Sequence, residues 1–199
     1  MLDVKISARE RILEAAEQLM TQHGYEAVGV ADLCRLADVK KGSFYHFFDS
    51  KQLLAIELLD RGWDRARTGV FDEAFGDVDR GTVASISIYG DLLAANLATR
   101  QDDCGAVVGC RVGNFAVELA VNDEVVRQRV AAILDEMRLV IEHAISAGIE
   151  SGELSSEVDP PEVSLEILAY MEGLMVVAKA QQDPQVLNRL GGAARRLLA

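Results

Sequence analysis

The chain has 199 residues, half of them hydrophobic and 26% charged, with a net charge of −12 and only three Pro. This composition excludes a disordered or low-complexity chain and suffices for a substantial core in one or two domains. No run of eighteen apolar residues occurs and the N-terminus does not read as a charged-then-apolar leader, so a soluble, cytoplasmic protein with no membrane partner is predicted. Cys34, Cys104 and Cys110 make no even framework and no Cys-x-x-Cys pair, and His23, His46 and His143 are scattered. Neither a metal site nor a cofactor is therefore expected. The acidity is uneven. Residues 1–51 hold seven Lys and Arg against eight Asp and Glu, whereas residues 52–199 hold thirteen against twenty-four. Because salt confines fields to about 8–10 Å, a near-neutral N-terminal part can still bind nucleic acid site-specifically.

In chain order, Ser7-x-x-Glu10 reads as a capping box opening a helix with Ile12, Ala16, Leu19 and Met20 on one face. His23-Gly24 ends it. Val30, Leu33, Cys34 and Ala37 recur at helical spacing, Asp38 breaks this second helix, and a third runs from about Lys41 to Phe47. The third helix is expected to turn Phe44, Phe47 and Phe48 inward and to leave Lys40, Lys41, Ser43, Tyr45 and His46 outside. Cations, hydroxyls and an imidazole on the outer face of a short helix suit phosphates and base edges in a major groove. The segment reads as a helix-turn-helix. Lys40 and Lys41, with backbone amides left open by Gly42, can gather phosphates at the start of that helix. Arg35 projects from the helix before it, and Lys51 can clamp the flanking DNA backbone.

Asp49 and Ser50 start a long helix toward Trp63 and on to Phe71 and Phe75, broken at Gly76–Gly81. A helix over Thr82–Ala98 precedes a polar loop from Arg100 to Gly105, followed by helices around Gly113–Ala120 and Asp123–Ser151. Asp159-Pro-Pro-Glu162 and Asp183-Pro184 start two final helices. Between those signals Val163–Ala180 is apolar around most of its circumference and must be covered on both sides. The predicted fold class is all-α. It comprises an N-terminal three-helix helix-turn-helix DNA-binding domain (1–50) and a larger helical domain (51–199). The dense acidic pairs Asp102-Asp103 and Asp123-Glu124 have no matching His or metal spacing, so no enzyme is expected.

The wording of Lys41-Gly-Ser-Phe-Tyr-His-Phe-Phe-Asp-Ser-Lys51, with Arg11-Ile-Leu-Glu-Ala-Ala16 and Gly24-Tyr25 before it, resembles the N-terminal domain of TetR-family transcriptional regulators. Gly109-Cys-Arg-Val-Gly-Asn114 resembles a subset of that family more loosely. The resemblance implies a homodimer joined through its last two helices, a palindromic double-stranded operator, and repression relieved by a small-molecule effector. The ligand-binding and dimerisation roles of the larger domain (51–199) are likewise implied by it. It also implies that Tyr45 and Lys51 meet phosphates while Ser43 and His46 lie nearer bases. Val28, Asp38 and Lys40 depart from the family pattern, which often has Thr, Gly and Ser there.

A cavity among the middle helices is a further implication. Trp63, Arg67, Phe71, Phe75, Tyr89 and Asn96 are candidate linings from its first half. Cys110, Asn114, Phe115, Glu118, Met137, Tyr170 and Met171 are candidates from its second. Aromatic and Met side chains with a few polar groups suit a ligand site. Cys110, beside Arg111 at a helix start, is expected to have a lowered thiol pKa and could answer a thiol-reactive effector, with Cys104 as a resolving partner.

Overall fold

The computed structural model describes residues 6–198. Helix α1 (Ala8–His23) begins where Ser7 Oγ accepts from the Glu10 amide at 3.1 Å, one half of the expected capping box, while the Glu10 carboxylate turns instead to Arg61. Helices α2 (Val30–Leu36) and α3 (Lys41–Phe47) follow, and Ser50 caps α4 (Lys51–Ala66) by accepting from the Leu53 amide at 3.1 Å. Ile12 and Ala16 of α1, Leu33 of α2, Phe44 of α3 and Leu54 and Leu58 of α4 close a shared core. Burying Phe44 alone contributes about 2–3 kcal/mol.

The corner between α2 and α3 is made by Asp38, a left-handed residue at φ 50°. The Val39 amide donates to Cys34 O at 3.0 Å, closing the helix end in the usual left-handed cap. Arg11 holds the corner from α1, donating to Ala37 O at 2.9 Å and Asp38 O at 3.3 Å. Left-handed backbone strains a residue with a Cβ, though Asp bears it better than most. Asp38→Gly should therefore stabilise the fold by about 0.5–1 kcal/mol. Thermal melts check this, and a destabilised variant would mean that the Asp38 side chain holds the corner.

Helix α4 does run on to Phe75, but through one π-helical turn (Arg67–Phe71) into a short α5 (Asp72–Phe75). After a 3-10 turn (Val78–Arg80), α6 (Thr82–Cys104) extends through the residues expected to form a polar loop. Then come α7 (Arg111–Leu119), α8 (Glu124–Glu150), α9 (Pro160–Gln181), α10 (Gln185–Leu190) and 3-10 turns to the end (Gly191–Leu198). Helices α8 and α9 pack along each other, while α10 and the final turns fold back onto α6. That return depends on two glycines. A Cβ on Gly90 would sit 2.8 Å from the Gly191 carbonyl carbon, so the two backbones touch where side chains would collide. The last two long helices are therefore α8 and α9, and α10 is a short strap. Among the described residues no helix is long and apolar enough to cross a membrane.

Candidate DNA-binding face and effector cavity

On α2 and α3 the expected contact residues fall largely where the sequence puts them. Lys40, Lys41, Gly42, Tyr45 and His46 are exposed and Ser43 is half-buried. Tyr45 stays 48% exposed while its ring meets Phe44 edge-on at 5.2 Å, and Lys41 Nζ lies 5.9 Å from the same ring. Arg35 is exposed and paired with Asp32, the residue whose carboxylate also accepts from the Gly29 amide at 3.1 Å to start α2. Glycine thus does serve as the cap residue beside Val28.

Two placements differ from expectation. Phe47 is 37% exposed rather than in the core, because α3 is short and its last turn leaves only Phe44 and then Phe48 facing α1 and α2. Lys51 does not project as a free clamp. Its ammonium donates to Tyr25 O and Val28 O at 3.0 Å each and sits 3.9 Å from the Tyr25 ring centroid, tying α4 to the α1–α2 connection.

The larger helical half contains a cavity of about 390 Å³ among α1, α4, the π turn, α6, α7, α8 and α9. Of the expected linings, Phe71, Tyr89, Cys110 and Met137 reach it, and Asn96 stands at its edge. Asn114, Phe115 and Glu118 instead face an adjoining groove between α1, α7 and α9. Trp63, Arg67, Tyr170 and Met171 line neither. Trp63 is buried with its indole N–H donating to Glu136 at 2.5 Å, and Arg67 points to solvent from the π turn. Tyr170 donates to Leu190 O at 3.0 Å, holding α10, and Met171 is fully buried core. Phe75 packs on Phe71 and Tyr89 at the far side of that aromatic cluster.

Several lining residues escaped the sequence reading, chiefly Arg100 and Glu172. A signal for Arg100 exists, since Leu93, Leu97, Arg100 and Cys104 fall at helical spacing on α6. Glu172 is a lone carboxyl within the apolar stretch of α9.

The electrostatics of the cavity are set by burial. Cys110 does cap α7, its sulfur accepting from the Gly113 amide at 3.5 Å. Burial first and the neighbouring Glu172 carboxyl second nonetheless push its thiol well above the ordinary value, the reverse of the expected direction. Burial likewise raises the Glu172 carboxyl and the Tyr89 hydroxyl, and lowers the Arg100 guanidinium, which Arg111 lowers further.

Helix α7 joins this cavity to the DNA-binding part. At its start Arg111 pairs with Glu17 of α1 and donates to Leu58 O of α4 at 3.2 Å. At its end the Glu118 carboxylate accepts from the Tyr25 and Glu26 amides at 3.0 and 2.7 Å. Gly24, at φ 84°, lets that carboxylate approach, since a Cβ there would lie 3.0 Å from it. Just beyond, Asp123 accepts from Gln52 of α4 at 2.7 Å. Glu118→Ala should cost about 1–3 kcal/mol by stripping two amides of a charged acceptor. Hydrogen exchange at Tyr25 and Glu26 should quicken with it, and unchanged exchange would mean that the link carries no weight.

A helix-turn-helix with a cationic and aromatic outer face, coupled through one helix to a helical half with a cavity, defines a DNA-binding regulator rather than an enzyme. Residues 12–58 match the bacterial regulatory proteins of the tetR family, and residues 91–194 match the tetracyclin repressor-like C-terminal domain. The chain belongs to the TetR family of transcriptional regulators. It is 26% identical over 187 residues to the HTH-type transcriptional repressor DhaR of Mycobacterium sp. (strain GP1), covering 91% of this chain and 87% of that one. A crystal structure of regulatory protein TetR from Rhodobacter sphaeroides superposes with a TM-score of 0.83 at 25% identity, covering 96% and 99% of the two chains. A cysteine mutant of the TetR-family regulator CifR, solved with 26-bp double-strand operator DNA, shares the fold at TM-score 0.79 and 24% identity, over 94% and 95% of the chains.

Proposed function

We propose that the chain is a homodimeric repressor that holds a palindromic operator and releases it when a small molecule fills the cavity. The observation that supports this most is the outer face of α3, where Lys41, Tyr45 and His46 stand in solvent on a helix anchored from beneath by Phe44. One such face per subunit suits successive major grooves about 34–36 Å apart. Lys40, Lys41, Tyr45 and Arg35 serve phosphates, and Ser43 and His46 approach base edges. Gly42 leaves room for the DNA backbone. Lys51 acts by holding the α1–α2 connection. Residues 1–50 form the DNA-binding part and 51–199 the effector-binding and dimerisation part.

Dimerisation falls to the outer face of α9. Leu165, Ala169, Gly173, Val176 and Ala180 recur there at helical spacing, all exposed and all small or apolar. A second copy of the same stripe covers it, with α8 alongside in each subunit, so the bundle uses α8 and α9 rather than the short α10. Release follows from the position of α7. Arg100 holds the loop before α7 through Gly109 O at 2.9 Å, and Gln182 holds it through the Val107 amide at 3.0 Å. An occupant that shifts this loop moves Arg111 and Glu118, and with them α1 and the α1–α2 connection. It can do so only by binding one arrangement more tightly than the other.

Selection from a random duplex library at two salt concentrations tests the reading. Enrichment of a palindrome is expected. A folded, effector-free dimer that enriches nothing would overturn it and leave a helical adaptor acting through protein contacts.

A further inference from the structure

Arg100 is the outlying arginine of this chain. Most other arginines described are paired with carboxylates, and Arg11 spreads its donors over three carbonyl oxygens. Arg67, Arg195 and Arg196 lie exposed in water. Arg100 is half-buried, and among the described residues no carboxylate lies within ion-pair reach of it. Its one hydrogen bond goes to Gly109 O at 2.9 Å, leaving most of its five donors unused. Those donors border both the inner cavity and the outer groove, so the guanidinium stands at the junction of the two. Arg111 is near enough to depress it further, but Arg111 is itself paired with Glu17, so the guanidinium without an ion partner there is that of Arg100.

Of the other charged linings, Arg65 and Arg111 are both paired with Glu17 and Asp103 lies exposed, which leaves Glu172, a group that would favour a cation instead. The two groups differ in how they can escape the cost of burial. A buried carboxyl takes up a proton and becomes neutral, and burial does push Glu172 that way. A guanidinium cannot shed its proton under any ordinary condition. The unpartnered group that has no neutral form to fall back on is therefore the Arg100 guanidinium. Beside it the chamber has an apolar wall formed by Leu59, Val70, Leu93, Leu97 and Met137. The Tyr89 hydroxyl, without a hydrogen-bond partner among the described residues, adds one neutral donor.

We infer that the cavity takes a small amphipathic carboxylic acid, its carboxylate on the Arg100 guanidinium at the junction and its apolar body in the chamber beyond. One planar fork matches one carboxylate bidentately, and with Arg65 and Arg111 already paired with Glu17 the single guanidinium left free there among the described residues is too little charge for a phosphate dianion. This rests on the proposed effector role of the cavity and names the class of its occupant. Seating the acid draws Arg100 from Gly109 O, the carbonyl just before α7.

Calorimetric titration with butanoate, hexanoate, octanoate and benzoate, each against its amide, alcohol and amine, tests the inference on the full chain. The acids should bind and the neutral and cationic counterparts should not. Arg100→Met should weaken acid binding about ten- to hundredfold, the worth of a lost charge-assisted pair. Unliganded, that variant should still fold and melt cooperatively, because the loss of its one bond to Gly109 O is offset by removing a half-buried charge with no ion partner. Arg100→Lys keeps the charge, loses the fork, and should fall between. Equal binding of alcohol and acid, preference for the amine, binding that ignores Arg100, or no acid bound at all would each overturn it. Acids that bind through Arg100 yet leave the operator held would support the ligand class and refute release by the cavity. Release by neutral compounds alone would do the reverse.

Discussion

Replacing Lys41 and Tyr45 together by alanine should lower operator affinity by about three orders of magnitude while leaving the fold intact. Each side chain lost from a phosphate or groove contact costs about 1 kcal/mol or more, and a symmetric complex loses each of them twice. Four such losses sum to about 4 kcal/mol, or about a thousandfold. The fold should survive because both side chains stand outside the core, Lys41 in solvent and Tyr45 touching Phe44 only by its edge. Losing that edge contact costs about 0.5–1 kcal/mol. Fluorescence anisotropy on a selected operator, alongside a thermal melt, checks both halves. Affinity within threefold of the parent, in a protein that still melts cooperatively, would remove α3 as the reading helix.

Charging the outer stripe of α9 should split the dimer. Leu165 and Val176 are 55% and 62% exposed in the single chain, so glutamates there meet water and leave the subunit folded. Across a two-fold axis the same stripe faces itself, and each substitution would place like charges in a closed apolar contact. Leaving such charges unpaired and desolvated costs several kcal/mol. Leu165→Glu with Val176→Glu should therefore weaken the dimer about a thousandfold or more. Operator binding should collapse with it, since a single subunit reaches one half-site. Sedimentation equilibrium reads the first effect directly. A variant that remains dimeric at micromolar concentration would place the interface elsewhere.

Local signals account for what the sequence made legible. The capping residues Ser7, Ser50, Cys110, Asp123 and Asp159 each accept the amide their position predicts, because a cap depends on only a few neighbouring residues. The exposed side of α3 was readable for the same reason, its outward residues being set by one short period. Phe47 was not, since its exposure depends on where α3 stops against α1 and α2.

The cavity was only partly legible because its walls come from seven elements far apart in sequence. Trp63 and Met171 have the right chemistry for a lining but are claimed by Glu136 and by the core. Cys110 shows how tertiary context can reverse a local rule. The helix start and Arg111 favour a thiolate, while burial and Glu172 from α9 hold the thiol protonated. Arg100 and Lys51 make the same point in opposite senses. A residue placed in a polar loop proves to be a half-buried cation at the cavity, and a residue expected to reach DNA proves to hold two loop carbonyls.

The most direct test of the central claim, that the α3 faces of a dimer grip operator DNA, is the salt dependence of operator affinity. Lys40 and Lys41 of both subunits on phosphates give a log–log slope of about −4 or steeper, at about −0.9 per phosphate neutralised. The Lys41→Ala, Tyr45→Ala protein should show a visibly shallower slope on the same duplex. A steep slope for the parent and a shallow one for the variant is the predicted result. An affinity indifferent to salt, or a slope that the two substitutions leave unchanged, would contradict it.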